Sequence, residues 1–195
     1  MRPLILHDWR ATAATVATLV ICAVVMRTLW RSRPRLPASG ADCGHLRRHI
    51  WGLAAVHVLA LGAALVTRGF TLPGSGWVVL GAGLVLYVIG QWLRGWAIAT
   101  LGDWFQGALV VQDGQRLVAT GPYRRIRHPA YAGGILRAAG LGLVLDNWLS
   151  LTLLVIGMTA FVAVRIRREE GILRSGLAAY SEYEHRTARL VPGVW

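Results

Sequence analysis

Five apolar segments, residues 11–30, 50–66, 77–101, 131–145 and 148–164, limit what this chain can fold into. A helix needs roughly 20 apolar residues to cross a bilayer, so the first and third are comfortable and the others short. The last two are separated only by Asp146 and Asn147, which predicts a tight helical hairpin that enters and returns. With 55% of its 195 residues hydrophobic, the chain is too apolar for an ordinary soluble domain, and its length fits one domain. The expectation is an all-α integral membrane protein with five transmembrane segments, a single domain over 1–195. Residues 1–101 hold the first three spans and 102–195 the rest.

Charge gives this arrangement a direction. All 21 basic residues are arginine, against 9 acids, for a net charge of +12. Nucleic-acid binding would call for a basic tract interleaved with aromatics, whereas these arginines sit mostly at the ends of apolar runs. No nucleic acid partner is expected; membrane lipids are. Loop 31–49 carries Arg31, Arg33, Arg35, Arg47 and Arg48, and loop 102–130 carries Arg116, Arg124, Arg125 and Arg127. The tail after residue 164 adds six more, while 68–76 has only Arg68 and the hairpin tip none. Arginine-rich loops stay in the cytoplasm, so the N-terminus is expected outside and the C-terminus inside. Trp30, Trp77 and Trp148 fall at segment ends, where interfacial aromatics belong. The first apolar run is followed by most of its charges, which reads as an uncleaved anchor. Cys22 and Cys43 read as packing residues and not as a disulfide. An arginine-only, alanine- and glycine-rich composition points to a high-GC bacterial source, hence to the inner (cytoplasmic) membrane.

Two polar clusters interrupt the apolar background. Residues 121–134 read Gly-Pro-Tyr-Arg-Arg-Ile-Arg-His-Pro-Ala-Tyr-Ala-Gly-Gly, immediately before the fourth segment. At the far end of the following pair comes Arg165-Ile-Arg-Arg-Glu-Glu-Gly-Ile-Leu. A hairpin brings both to the same membrane face, so one cytoplasmic site built from the two is expected. In a helix Arg165, Glu169 and Leu173 share a face. They read either as a solvated salt bridge or as a guanidinium fork for an anion beside a carboxylate for a cationic or hydroxyl-bearing ligand. Glu170 turns about 100° away and is placed to orient that pair. His128 precedes Pro129, so the next helix should begin cleanly there. No second His or Cys stands at metal-ligand spacing, and no metal is expected. Arg94 and Gln91 in the third segment and Arg137 in the fourth are costly at such depth. They mark a site or an internal pair, or else snorkel to the surface. His57 reads as a packing residue. All four glutamates (Glu169, Glu170, Glu182, Glu184) lie late in the chain, so acid–base chemistry has few places to be. The tail from Arg165 to Tyr183 reads as a helix leaving the last span, with Gly171 and Gly176 as weak points.

These residues resemble a known family. Leu117-Val118-Ala119-Thr120-Gly121-Pro122-Tyr123-Arg124, then Arg127-His128-Pro129-Ala130-Tyr131-Ala132-Gly133, then Glu169-Glu170-Gly171-Ile172-Leu173 occur in order. Tyr180-Ser181-Glu182-Tyr183 and Arg189-Leu190-Val191-Pro192 follow. Together they are similar to the isoprenylcysteine carboxyl methyltransferases, relatives of the phospholipid N-methyltransferases. The resemblance covers 102–192 and leaves the first two spans unmarked. It implies a membrane-embedded fold with a cytoplasmic cofactor pocket for S-adenosylmethionine. Carried over by position, the cofactor contacts are Gln112, Gln115, Arg116, Leu117, Val118, Tyr123, His128, Pro129, Ala130, Tyr131 and Glu169. The acceptor-orienting arginine is Arg165, and Arg165, Glu169 and Glu170 form the expected catalytic group. The family often has His where this chain has Gln115, and Phe-Gly where it has Gly176-Leu177.

The chemistry agrees with that resemblance. A sulfonium methyl is already activated, so its transfer needs in-line positioning more than acid–base help. A carboxylate acceptor is ionised at neutral pH and needs only to be held. An amine acceptor would first have to lose a proton, to Glu169, Glu170 or His128. The expected activity is methylation of a lipophilic, membrane-resident acceptor, a carboxylate by preference. Phospholipid amine methylation, a related membrane reductase using NADPH, and a noncatalytic transporter or scaffold are the alternatives.

Overall fold

The structure, a computed structural model, describes residues 43–67, 70–73, 76–105, 111, 114–193 and 195, with side chains from Trp51 onward. The expected first span, 11–30, and Gln112 lie outside the described residues. Among the described residues five helices carry the fold: α1 (Cys43–Val66), α2 (Gly76–Leu101), α3 (Pro129–Val144), α4 (Trp148–Gly176) and α5 (Tyr180–Arg186). Two short 3-10 turns, Gly102–Trp104 and Gly121–Arg124, sit between α2 and α3. Among the described residues no strand forms, only a single parallel bridge between Ile126 and Ala188. α2 and α4 are long and apolar enough to cross a membrane, and α1 has a shorter apolar stretch. Both carry bare hydrophobics outward, such as Val85, Val88 and Trp92 on α2 and Ile156 on α4, as lipid-facing helices do.

Glycines decide how α2 meets α3. Gly83 and Gly90 on one helix face Gly140 and Gly133 on the other, in antiparallel order. A Cβ added at Gly133 would stand 2.5 Å from the Gly90 carbonyl oxygen and 2.8 Å from the Arg94 nitrogen. At Gly140 it would stand 2.5 Å from the Tyr87 nitrogen. Backbones this close gain the dispersion contacts that drive helix association where lipid removes the hydrophobic incentive. The approach also brings α2's Arg94 against the start of α3.

The expected hairpin is α3–α4, and its turn is anchored. Asp146 adopts φ 47, a left-handed conformation that Asp tolerates. Asn147 caps α4, its side chain accepting from the Ser150 amide at 2.9 Å. Its amide nitrogen donates to the Thr67 carbonyl at 2.9 Å, while Asp146 accepts from the Leu72 amide. The Ser150 hydroxyl reaches the Ala60 carbonyl at 2.7 Å and ties α4 to α1. Gly52 lies against Phe161, and Gly157 against Val56, so these helices also run antiparallel. The core between them holds Leu154, Met158, Val162 and Ile166 from α4 with Ala138 and Leu141 from α3.

The tail differs from expectation. α4 runs unbroken through Gly171 and ends at Gly176, and α5 starts afresh at Tyr180. Leu177 turns extended (φ −129°, ψ 104°), so the continuous helix to Tyr183 does not form. Gly176 permits the stop because the chain at Val111 crosses it: an added Cβ would sit 2.7 Å from a Val111 methyl. Gly171 has open space around it and no reason to break.

Candidate active site

The polar block before α3 is held on three sides. Gly121 takes φ +56, and a Cβ there would meet the Thr100 side chain at 3.1 Å, so the 3-10 turn lies directly on the end of α2. That turn buries Tyr123 against Ala97 and Ala130, with Val118 and Leu101 packed alongside. The chain then pairs with the tail. The Arg127 amide donates to the Ala188 carbonyl at 2.8 Å, the His128 amide to Arg189 at 3.1 Å, and the Ala188 amide to Arg125 at 3.0 Å. The Tyr183 hydroxyl closes the third side, donating to the Tyr123 carbonyl at 2.7 Å. Burial pushes both phenols up, Tyr183 to about 12 and Tyr123 further, so at neutral pH both remain protonated.

Glu170 is the hub of this assembly. Its side chain is 1% exposed, and Arg127 Nε donates to it at 3.0 Å. Arg189 donates through Nε at 3.0 Å, with its Nη2 at 2.9 Å. Arg174, one turn on, approaches at 3.5 Å. His128 Nε2 lies 3.4 Å from Glu170 Oε1 but off the line of a hydrogen bond. Arg127 continues to the carbonyl oxygens of Glu184 and Thr187. One buried carboxylate therefore ties α4, the block before α3 and the C-terminal tail together. A paired and hydrogen-bonded charge of this kind is costly to break.

Glu169 points elsewhere. It does not pair directly with Arg165 as a surface salt bridge would; the Tyr131 hydroxyl stands between them. Tyr131 donates to Glu169 Oε2 at 2.6 Å, and Arg165 Nε donates to the same hydroxyl at 2.5 Å. The Arg165 guanidinium also lies 5.9 Å from the Tyr131 ring centre. His128 stacks on that ring at 5.6 Å and 22°. Pro129 opens α3, where the carbonyl of His128 takes the amides of Tyr131 and Ala132, both at 3.1 Å. That start aims Tyr131 at α4.

The structure thus brings together Tyr123, His128, Pro129, Ala130, Tyr131, Arg165 and Glu169, and places Glu170 behind them. Gln115, Arg116, Leu117 and Val118 form an irregular segment leading to the Tyr123 turn, Val118 packed on that cluster and Arg116 exposed. Gln112 is outside the described residues. Among the described residues no cluster fit to bind a metal occurs. Sequence reasoning missed Arg127 and Arg189 as partners of Glu170. Their signal was present in two motifs, Arg127-His128-Pro129 and Arg189-Leu190-Val191-Pro192, each opening on an arginine.

A helical bundle with lipid-facing spans and a polar mouth of paired tyrosine, arginine and glutamate defines a membrane protein with a polar cluster at one end. The sequence profile of the isoprenylcysteine carboxyl methyltransferase family matches residues 83–175. A probable protein-S-isoprenylcysteine O-methyltransferase of Oryza sativa subsp. indica is 30% identical over 162 residues, covering 77% of this chain and 85% of that protein. The protein-S-isoprenylcysteine O-methyltransferase of Saccharomyces cerevisiae is 34% identical over 115 residues, 57% of this chain and 48% of that one. The solved structure of a eukaryotic intramembrane Ras methyltransferase superposes with a TM-score of 0.62 at 22% identity. That superposition covers 82% of this chain and 55% of the other. This chain belongs to the isoprenylcysteine carboxyl methyltransferase family. It is an integral membrane methyltransferase with the helical fold of that family.

Proposed function

We propose that this enzyme methylates the carboxylate of a lipophilic acceptor resident in the membrane, using S-adenosylmethionine. The observation that carries the reading is the Arg165–Tyr131–Glu169 arrangement. It offers a guanidinium fork for an anion and a carboxylate for a cation, joined by one hydroxyl. Among the described residues nothing bonds the second oxygen of Glu169, Oε1, which leaves it for the cofactor's ammonium or ribose hydroxyls, so the residues present fit that cofactor. The segment 115–118, Tyr123 and the face from His128 to Tyr131 would line the rest of its pocket, and Gln112 belongs to the same expectation. When bound, the cofactor supplies an electrophilic sulfonium methyl, which becomes the methyl of an ester as the carbon–sulfur bond breaks.

Arg165 holds the acceptor carboxylate in line and leaves one of its oxygens free to attack. Glu170 acts as a positioning residue, since its oxygens are committed to Arg127 and Arg189. An amine acceptor would require a base. Glu169 already accepts a hydrogen bond from Tyr131, Glu170 lies among guanidiniums, and His128 turns its Nε2 toward Glu170, which favours the carboxylate. We place the polar mouth in the cytoplasm, the five segments in a bacterial inner membrane, and the N-terminus outside, following the arginine-rich loops.

Two variants test the shared site. Glu169→Ala should weaken S-adenosylmethionine binding by roughly 1–3 kcal/mol, the cost of a lost buried polar contact. Arg165→Ala should leave cofactor affinity nearly intact and cut turnover, with Arg165→Lys rescuing only in part because an ammonium lacks the fork. Calorimetry and turnover in detergent report both quantities. Silent variants, or tight NADPH binding, would remove the reading.

A further inference from the structure

Beneath the mouth lies a positive charge that none of the described residues balances. Arg137, on α3 six residues past Tyr131, stands about 9 Å deeper along the helix. Its Nη1 donates to the Gln91 side-chain oxygen at 3.1 Å, a neutral partner from α2. Arg94 lies between the two levels. It donates weakly to the Ala130 carbonyl at 3.4 Å and sits within electrostatic reach of both Arg137 and Arg165. His57 on α1 also feels Arg137 and can add only positive charge. None of the ion pairs among the described residues involves Arg94 or Arg137. Among the described residues no carboxylate is placed as their counter-ion. No Asp or Glu occurs between Asp42 and Asp103, between Asp113 and Asp146, between Asp146 and Glu169, or within residues 11–30. A lone helix tie would not need a guanidinium, because a glutamine could bond Gln91 without the cost of burying charge in lipid.

We propose that Arg137 is a specificity-determining residue. Its uncompensated charge, added to that of Arg94, selects anionic acceptors over neutral and cationic ones before Arg165 orients them. In a low-dielectric interior a unit charge acts over such distances without contact, and repulsion rejects an amine as effectively as attraction favours an acid. This inference rests on the carboxylate reading above and explains how one fold sorts acids from amines.

The test compares binding of three probes in detergent: an S-isoprenylated cysteine with its amine blocked, the same molecule as carboxamide, and an isoprenyl amine. Wild type should prefer the acid over the carboxamide and bind the amine worst. Arg137→Gln should reduce the acid preference about twentyfold, the size expected for an acceptor charge held at the Tyr131 level, about 9 Å away, at an effective dielectric near 20. Gln91→Glu supplies the missing counter-ion without removing the arginine and should reduce the preference similarly. It should also raise the melting temperature, and neither variant should change S-adenosylmethionine affinity more than twofold. A structural tie predicts the same stabilisation for Gln91→Glu but with the acid preference intact. An unchanged preference in both variants overturns the selectivity role and leaves the carboxylate reading standing. No acid preference in wild type overturns both.

Discussion

At the scale of single residues, two adjacent glutamates with the same intrinsic chemistry do different work because a helix turns them about 100° apart. Glu169 meets Tyr131 at the mouth, while Glu170 is buried among Arg127, Arg189, Arg174 and His128. Removing the Glu170 charge leaves guanidiniums facing each other without a carboxylate. Glu170→Gln should therefore destabilise the protein by about 3–5 kcal/mol. It should also free the tail beyond Thr187 for cleavage by added protease. Glu182 pairs with Arg186 where both side chains are 72% exposed, and Glu182→Gln should cost less than about 1 kcal/mol. Thermal melting and limited proteolysis of the two variants check the contrast. Equal sensitivity in both would mean that burial does not set the value of the pair. The adjacency of the glutamates was legible in the sequence, and so was their divergence by helical geometry. The partners of Glu170 were not, because they come from 19 and 43 residues away and meet only once the tail has folded back.

At the scale of elements, apolar runs predicted α2 and the hairpin well, since lipid demands length and a hydrophobic face and little else. The helix ends were less legible. α1 starts at Cys43, seven residues before its apolar stretch, and α4 continues to Gly176, far beyond its last apolar turn at Val164. Hydropathy sees the part of a helix that meets lipid and is blind to its polar extension. Glycine spacing carried information too. Gly83 and Gly90, like Gly133 and Gly140, are seven apart and mark the seam between α2 and α3. Gly133→Val should overpack that seam against the Gly90 and Arg94 backbone of α2 and cost about 1–3 kcal/mol or more. Gly95 and Gly171 face open space in helices, so Gly95→Ala and Gly171→Ala should stabilise by about 0.5–1 kcal/mol through helix propensity. Melting temperatures in one detergent settle the signs. A tolerated Gly133→Val would show that the close approach is dispensable.

At the scale of the whole molecule, the antiparallel order of α1, α2, α3 and α4 puts the two polar clusters at one end and the Asp146–Asn147 turn at the other. Substituted cysteines in a background lacking Cys22 and Cys43 should show this. Ser175→Cys should react from the cytoplasm and Thr71→Cys from outside, and the opposite pattern would invert the proposed topology. The family and its helical fold explain why half the chain was legible as motifs, since a hydrogen-bonded polar mouth needs particular residues whereas the lipid-facing spans need only apolar ones. The acceptor is where chemistry decides. Membranes containing the enzyme are incubated with S-adenosylmethionine labelled at its methyl group, and the lipid extract is treated with mild base. The label is expected to leave as methanol, the mark of an ester. Label that survives base in an amine-bearing lipid would contradict it.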